Sequence, residues 1–183
     1  MKKSNLKDII VNVKNLDVIF KKKKIIHEVS FQVFKGEIIG LFGISGAGKT
    51  TIIRVLTCQI KKKYWKGIVS VTNLSPKKKG NHSKILRNVG YVPQLELLNL
   101  YYDLSPLVNV EIFASNYGQK KEKARKIAKD LFTTLDIPED TWKNPLEKLS
   151  GGEKKRVSMA IGLIHKPKIL FLDEPTTLIN YLN

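Results

Sequence analysis

The chain has 183 residues, a length that suits one domain rather than two full cores, and 42% of them are hydrophobic, which excludes a wholly disordered chain. A single cysteine, Cys58, excludes a disulfide framework and a cysteine-rich zinc site and agrees with a reducing compartment; no apolar run reaches the roughly 18 residues of a membrane span. Thirty-three Lys and Arg against sixteen Asp and Glu give a net charge of +17, a balance that suits nucleic acid, an anionic membrane face or a phosphate ligand.

Ile9 to Val13 alternates apolar and polar residues and Val29 to Phe34 does so less strictly, which predicts two strands with Lys21 to Lys24 at the tip between them. This run, like Lys61 to Lys63 and Lys77 to Lys79, reads as solvated loop rather than a dedicated polyanion surface. Gly36-Glu37 predicts a turn, and the near-continuous apolar run Ile38 to Phe42 predicts a strand buried on both faces. Gly43 to Gly48 is a glycine-rich loop, and Thr50 to Cys58 a helix that buries Ile52, Ile53, Val55 and Leu56. A short strand follows at Ile68 to Val71 and another ends over Gly90 to Pro93, after which Leu95 to Ser105 shows no clean period.

From Val108 to Leu135 the period is helical, with Ala124, Ile127, Ala128 and Leu131 on one face and lysines on the other. A further helix runs from near Gly151 to His165 with Val157, Ala160, Ile161 and Ile164 as its stripe, and Lys168 to Leu172 is the last strand. Alternating strands and helices predict an α/β domain with a mixed or parallel sheet, and the middle third, roughly Asn88 to Ser150, a helical subdomain inserted into it.

Gly43-Ile44-Ser45-Gly46-Ala47-Gly48-Lys49-Thr50 fits G-x-x-x-x-G-K-[ST] between an apolar run and a helix, with Thr51 next in line. Glycines let the backbone curl so that successive N–H groups face phosphate oxygens, and the helix adds its positive end. Lys49 has the reach for β- and γ-phosphates, and the Thr50 hydroxyl suits Mg²⁺. At the end of Ile169-Leu170-Phe171-Leu172, Asp173 is placed to hold the metal and Glu174 to polarise an attacking water as general base. A nucleoside triphosphate site is the reading.

Between these halves stands Leu149-Ser150-Gly151-Gly152-Glu153, with Ser150 lying 23 residues before Asp173. Ser150-Gly151-Gly152 opening a helix makes a second backbone nest for an anion. The segment resembles the signature of the ABC transporter ATPases, with glutamate in the fifth position where glutamine is commoner. Other positions follow in order from about Leu6 to Thr177. Phe20 is similar to the aromatic that stacks on adenine. Gln94, in Tyr91-Val92-Pro93-Gln94, is similar to the glutamine that senses metal and water. Tyr102-Asp103-Leu104-Ser105 resembles the export-type or bacitracin-resistance-like branch.

The resemblance implies a P-loop NTPase fold: α/β, with a mostly parallel core sheet, an N-terminal antiparallel β-subdomain and the inserted helical subdomain. Residues 1–183 then form one ATPase domain, 1–87 and 151–183 its core and 88–150 its helical subdomain. It implies binding and hydrolysis of ATP with Mg²⁺, on the cytoplasmic face of a membrane, to drive separate transmembrane permease subunits. Two such domains would sandwich two ATP molecules, Ser150, Gly151 and Gly152 serving the partner's. Lys49, Gln94 and Glu174 would carry the catalysis, and Thr50, Gln94 and Asp173 the metal.

After Glu174-Pro175-Thr176-Thr177 the family continues with glycine, leucine and aspartate, where this chain has Leu178, Ile179 and Asn180, and no later switch histidine follows. The divergence reads as a truncated or frameshifted product, an ATPase domain incomplete at its C-terminus. Two alternatives stand beside a transporter subunit. One is an ABC-type ATPase acting on ribosomes or nucleic acid, disfavoured by only four arginines. The other is a remnant that binds ATP without turnover.

Overall fold

Branched residues and a lysine-rich tip make β1 (Ile9–Phe20) and β2 (Lys23–Phe34) an antiparallel hairpin, longer than the alternation alone predicts. The computed structural model describes residues 9–94 and 99–174, which fall into two units, Met1–Asn88 and Val89–Asn183. The departures from the family pattern after Thr177 lie outside the described residues.

In the first unit the hairpin turns through Lys21 and Lys22, at φ 45° and 67°, backbone that matches the twist of paired strands. β3 (Trp65–Val71) lies along the other edge of β1, giving the antiparallel order β2-β1-β3. The buried positions of β1 are Val11 and Val13, then Leu16 and Val18. An unbroken period of two would turn Leu16 to the wrong face. A bulge at Asn15 (φ 49°) takes up the odd residue, and the register slips there against both neighbours. The Asn15 N–H donates to Ser30 Oγ at 2.8 Å. Across from the bulge stands Gly67 (φ 100°), where a Cβ would collide with the carbonyl oxygens of Asn15 and Lys14.

α1 (Lys49–Leu56) packs against β3 and buries Ile52, Ile53, Val55 and Leu56, the residues its pattern singles out. The preceding segment overturns an expectation. Ile38 to Phe42 belongs to no strand, and Ile38 and Phe42 are 98% and 96% exposed. The run has the composition of a buried strand, but a strand needs a neighbour to take its N–H and C=O groups. Among the described residues none pairs with it. A short helix, α2 (His82–Leu86), closes the unit.

In the second unit β4 (Val89–Val92) and β5 (Ile169–Leu172) pair in parallel, from Val89 opposite Ile169 to Val92 opposite Leu172. α3 (Pro106–Asn116), α4 (Lys121–Thr134) and α5 (Gly151–Leu163) pack on one another around Val110, Ala128, Phe132, Val157 and Ile164. The helical stretch from Val108 to Leu135 is therefore two helices, parted at Gly118 (φ 74°). Pro106 and the Ser105 side chain, which accepts from the Val108 N–H, start α3. α5 also packs on β4, where Gly90 and Gly162 approach so closely that a Cβ on Gly90 would strike the Gly162 carbonyl oxygen.

Candidate nucleotide-binding site

In the first unit the loop Gly43 to Gly48 curls through two left-handed glycines, Gly46 at φ 80° and Gly48 at φ 92°. The Ala47 N–H donates to Ile44 O at 3.1 Å inside the curl, and the first helical bond runs from Ile52 N to Gly48 O at 3.0 Å. No side chain caps α1, and its first turn holds no acid. Its leading N–H groups thus suit an external anion. The Lys49 ammonium folds back over the loop and donates to Gly43 O at 2.8 Å and Ile44 O at 3.2 Å. A phosphate brought into the curl would meet a cation already there. Thr50 and Thr51 follow in the first turn, both half-buried.

Phe20 ends β1, and its ring lies 5.1 Å from that of Tyr64, tilted by 42°. The Lys63 ammonium sits 4.9 Å from the Tyr64 ring centre.

In the second unit Asp173 follows β5 directly and is 3% exposed. Its N–H extends the parallel ladder to Val92 O at 3.0 Å, and its carboxylate accepts the Tyr91 hydroxyl at 3.2 Å. Glu174 adopts left-handed backbone (φ 51°). Its Oε2 accepts a bond of 2.6 Å from the side-chain amide of Gln94, which stands two residues beyond the end of β4. The parallel pairing of β4 with β5 brings the glutamine and the acids to one end of two neighbouring strands. Within this unit Asp173 and the Gln94 side chain offer hard oxygen donors of the kind Mg²⁺ accepts together with phosphate. Among the described residues no group of three His, Cys, Asp or Glu could hold a metal alone.

Ser150 is the N-cap of α5 in a reciprocal capping box. Its hydroxyl accepts the Glu153 N–H at 3.2 Å, and the Glu153 carboxylate accepts the Ser150 N–H at 2.6 Å. Hydrogen bonding of the Glu153 carboxylate to the Ser150 side chain and backbone holds its pKa below the ordinary value. Gly151 and Gly152 form the open first turn.

Sequence reasoning passes over Lys155. It is 1% exposed, and its ammonium donates to Pro93 O at 2.7 Å and Gln94 O at 3.0 Å. Lys155, Ser158 and Gly162 are buried at spacing i, i+3, i+7, a second face of α5 with no apolar stripe to announce it.

Residues 26–177 match the family model described as ABC transporter. The chain is 36% identical over 169 residues to ABC transporter G family member 23 of Dictyostelium discoideum, covering 92% of this chain and 23% of that protein. It is 35% identical over 169 residues to the zinc import ATP-binding protein ZnuC of Pasteurella multocida, covering 91% and 55%. An uncharacterised ABC transporter ATP-binding protein of Methanocaldococcus jannaschii is 32% identical over 173 residues, covering 94% and 59%. The chain spans less than two thirds of each of these relatives. Among solved structures, cbiO1 from Clostridium perfringens, part of the transporter complex cbiONQ, superposes with a TM-score of 0.79 at 26% identity, covering 93% of this chain and 67% of that one. The dimeric ATP-binding cassette MJ0796 bound to ADP and Pi also gives 0.79, at 28% identity, covering 91% and 74%.

Proposed function

The chain belongs to the ABC transporter family, and from that premise we propose that it binds ATP with Mg²⁺ and hydrolyses it as the ATP-binding part of a transporter. Its α/β architecture, with an antiparallel N-terminal sheet and a parallel strand pair, is that of the P-loop ATPase cassettes. The observation that carries the reading is the loop of left-handed glycines at an uncapped helix start with Lys49 folded over it.

In this reading the loop N–H groups and Lys49 hold the β- and γ-phosphates, and Phe20 stacks on the adenine. Thr50, Asp173 and Gln94 are the residues that would hold Mg²⁺, and the ion would supply neutralisation of charge on the phosphate oxygens. Glu174 accepts a proton from the attacking water. Its bond from Gln94 orients the carboxylate, and a carboxylate has about four lone-pair sites, so one such bond leaves room for that water. Ser150, Gly151 and Gly152 serve the ATP of a second ATP-binding domain, and separate permease subunits span the membrane on whose cytoplasmic side the chain works. Among the described residues no helix is long and apolar enough to cross a membrane.

Mg-ATP binding by calorimetry, beside phosphate release, tests the proposal. Lys49→Ala should abolish binding, while Glu174→Gln should keep binding and lose turnover. Unchanged affinity in Lys49→Ala would refute it.

A further inference from the structure

Lys155 lies in the second turn of α5, the helix whose N-terminus carries Ser150, Gly151 and Gly152. An ammonium buried to 1% exposure is costly unless its donors are met. Here two of the bonds go to successive carbonyls, Pro93 O at 2.7 Å and Gln94 O at 3.0 Å, which bracket the backbone of Gln94. The side chain of that glutamine donates to Glu174 Oε2 at 2.6 Å. One turn further along the same face, Ser158 exchanges hydrogen bonds with the Asn99 side chain, at 2.9 and 3.1 Å. α5 therefore grips the chain at Pro93-Gln94 and again at Asn99. Packing alone would be served by an apolar side chain of similar length; a charged donor there fixes where the two carbonyls stand.

We infer that Lys155 is a positioning residue that sets Gln94 against Glu174 and thereby ties α5 to the carboxylate through one run of hydrogen bonds. The inference rests on the reading of Glu174 as the general base. It makes the face of α5 behind the signature segment responsible for the orientation of a carboxylate in the same chain. A shift of α5 reaches Glu174 through Gln94, with Pro93 and Gln94 moving as one piece.

The test uses the full chain. The side-chain amide signal of Gln94, assigned by its loss in Gln94→Ala, is recorded by NMR without nucleotide in the wild type, Glu174→Ala, Lys155→Met and Lys155→Arg. Glu174→Ala marks the signal's position when its acceptor is gone. Lys155→Met should move the signal toward that position and lower kcat by about 10- to 100-fold, the scale for loss of a group that orients a ligand. Lys155→Arg should restore part of both effects.

A Gln94 signal that stays at its wild-type position in folded Lys155→Met overturns the inference, as does an unchanged kcat. If Lys155→Met does not fold by circular dichroism, Lys155→Gln, a shorter donor, is read in the same way. Failure of the broader reading looks different. Nucleotide affinity retained in Lys49→Ala would defeat the ATPase proposal, while the Gln94 signal, taken without nucleotide, still decides whether Lys155 positions that side chain.

Discussion

Gly46 and Gly48 share left-handed backbone, φ 80° and 92°, but differ in what surrounds them. A Cβ at Gly46 meets nothing within 4 Å, whereas one at Gly48 strikes Ile26 Cδ1 and lies 3.5 Å from Ile25 O. Left-handed backbone costs an alanine about 1–2 kcal/mol, so Gly46→Ala should lose about that much stability. Gly48→Ala carries the same strain and must also displace Ile26, which is 2% exposed. Overpacking of that kind adds about 1–3 kcal/mol. The expected difference between the two variants is that overpacking alone. Removing Cδ1 by Ile26→Val costs about 0.5–1.5 kcal/mol in the wild type but should cost less in Gly48→Ala, because it relieves the collision. Urea unfolding followed by Trp65 fluorescence, in a Trp142→Phe background, reads the first unit, since the chain has two tryptophans. Equal losses in the two glycine variants, or additive behaviour of Ile26→Val with Gly48→Ala, would exclude a collision with Ile26 as the source of the difference.

Two pH dependences follow from groups in the second unit. Burial lowers the His165 pKa below its ordinary 6.5, opposed by the bond from its Nε2 to Val89 O at 3.0 Å. The unfolded chain then binds the proton first, so stability is complete above 6.5 and falls as the pH drops from there through the folded value. His165→Phe, which keeps a ring against Tyr117 (3.9 Å, 2° between planes), should flatten the urea midpoint across that range; an unchanged slope would exclude His165 as its source. The Glu153 carboxyl is lowered by its bonds with Ser150, so the cap is present above the ordinary 4.5 and is lost as pH falls through the folded value. Glu153→Gln keeps both capping partners without the titration, and exchange of the amides that open α5 should then lose its acid sensitivity.

The phosphate loop is legible because everything it needs is adjacent in the chain: glycines for left-handed backbone, then a lysine, then a helix. Asp173 and Glu174 are legible for the same reason, as acids at the end of a short apolar run. α1 is legible from its four buried residues. The strand expected at Ile38 to Phe42 fails because hydrophobicity measures a residue's preference for burial, not whether a neighbour exists to pair with it. The first strand is read short because its alternation breaks at Asn15, and only pairing on both sides shows the break to be a bulge.

Neighbours in the chain are thus enough to specify local chemistry: a curl of N–H groups, a cation over it, and a pair of acids at a strand end. Which distant groups meet depends on how the strands pair and the helices pack. Gln94 reaches Glu174 across 80 residues, and Lys155 holds the carbonyls of Pro93 and Gln94 from 62 and 61 residues away. Such contacts leave no period in the chain. They arise because β4 and β5 pair in parallel and α5 packs on β4, and a buried polar face stays silent until its partners are in place.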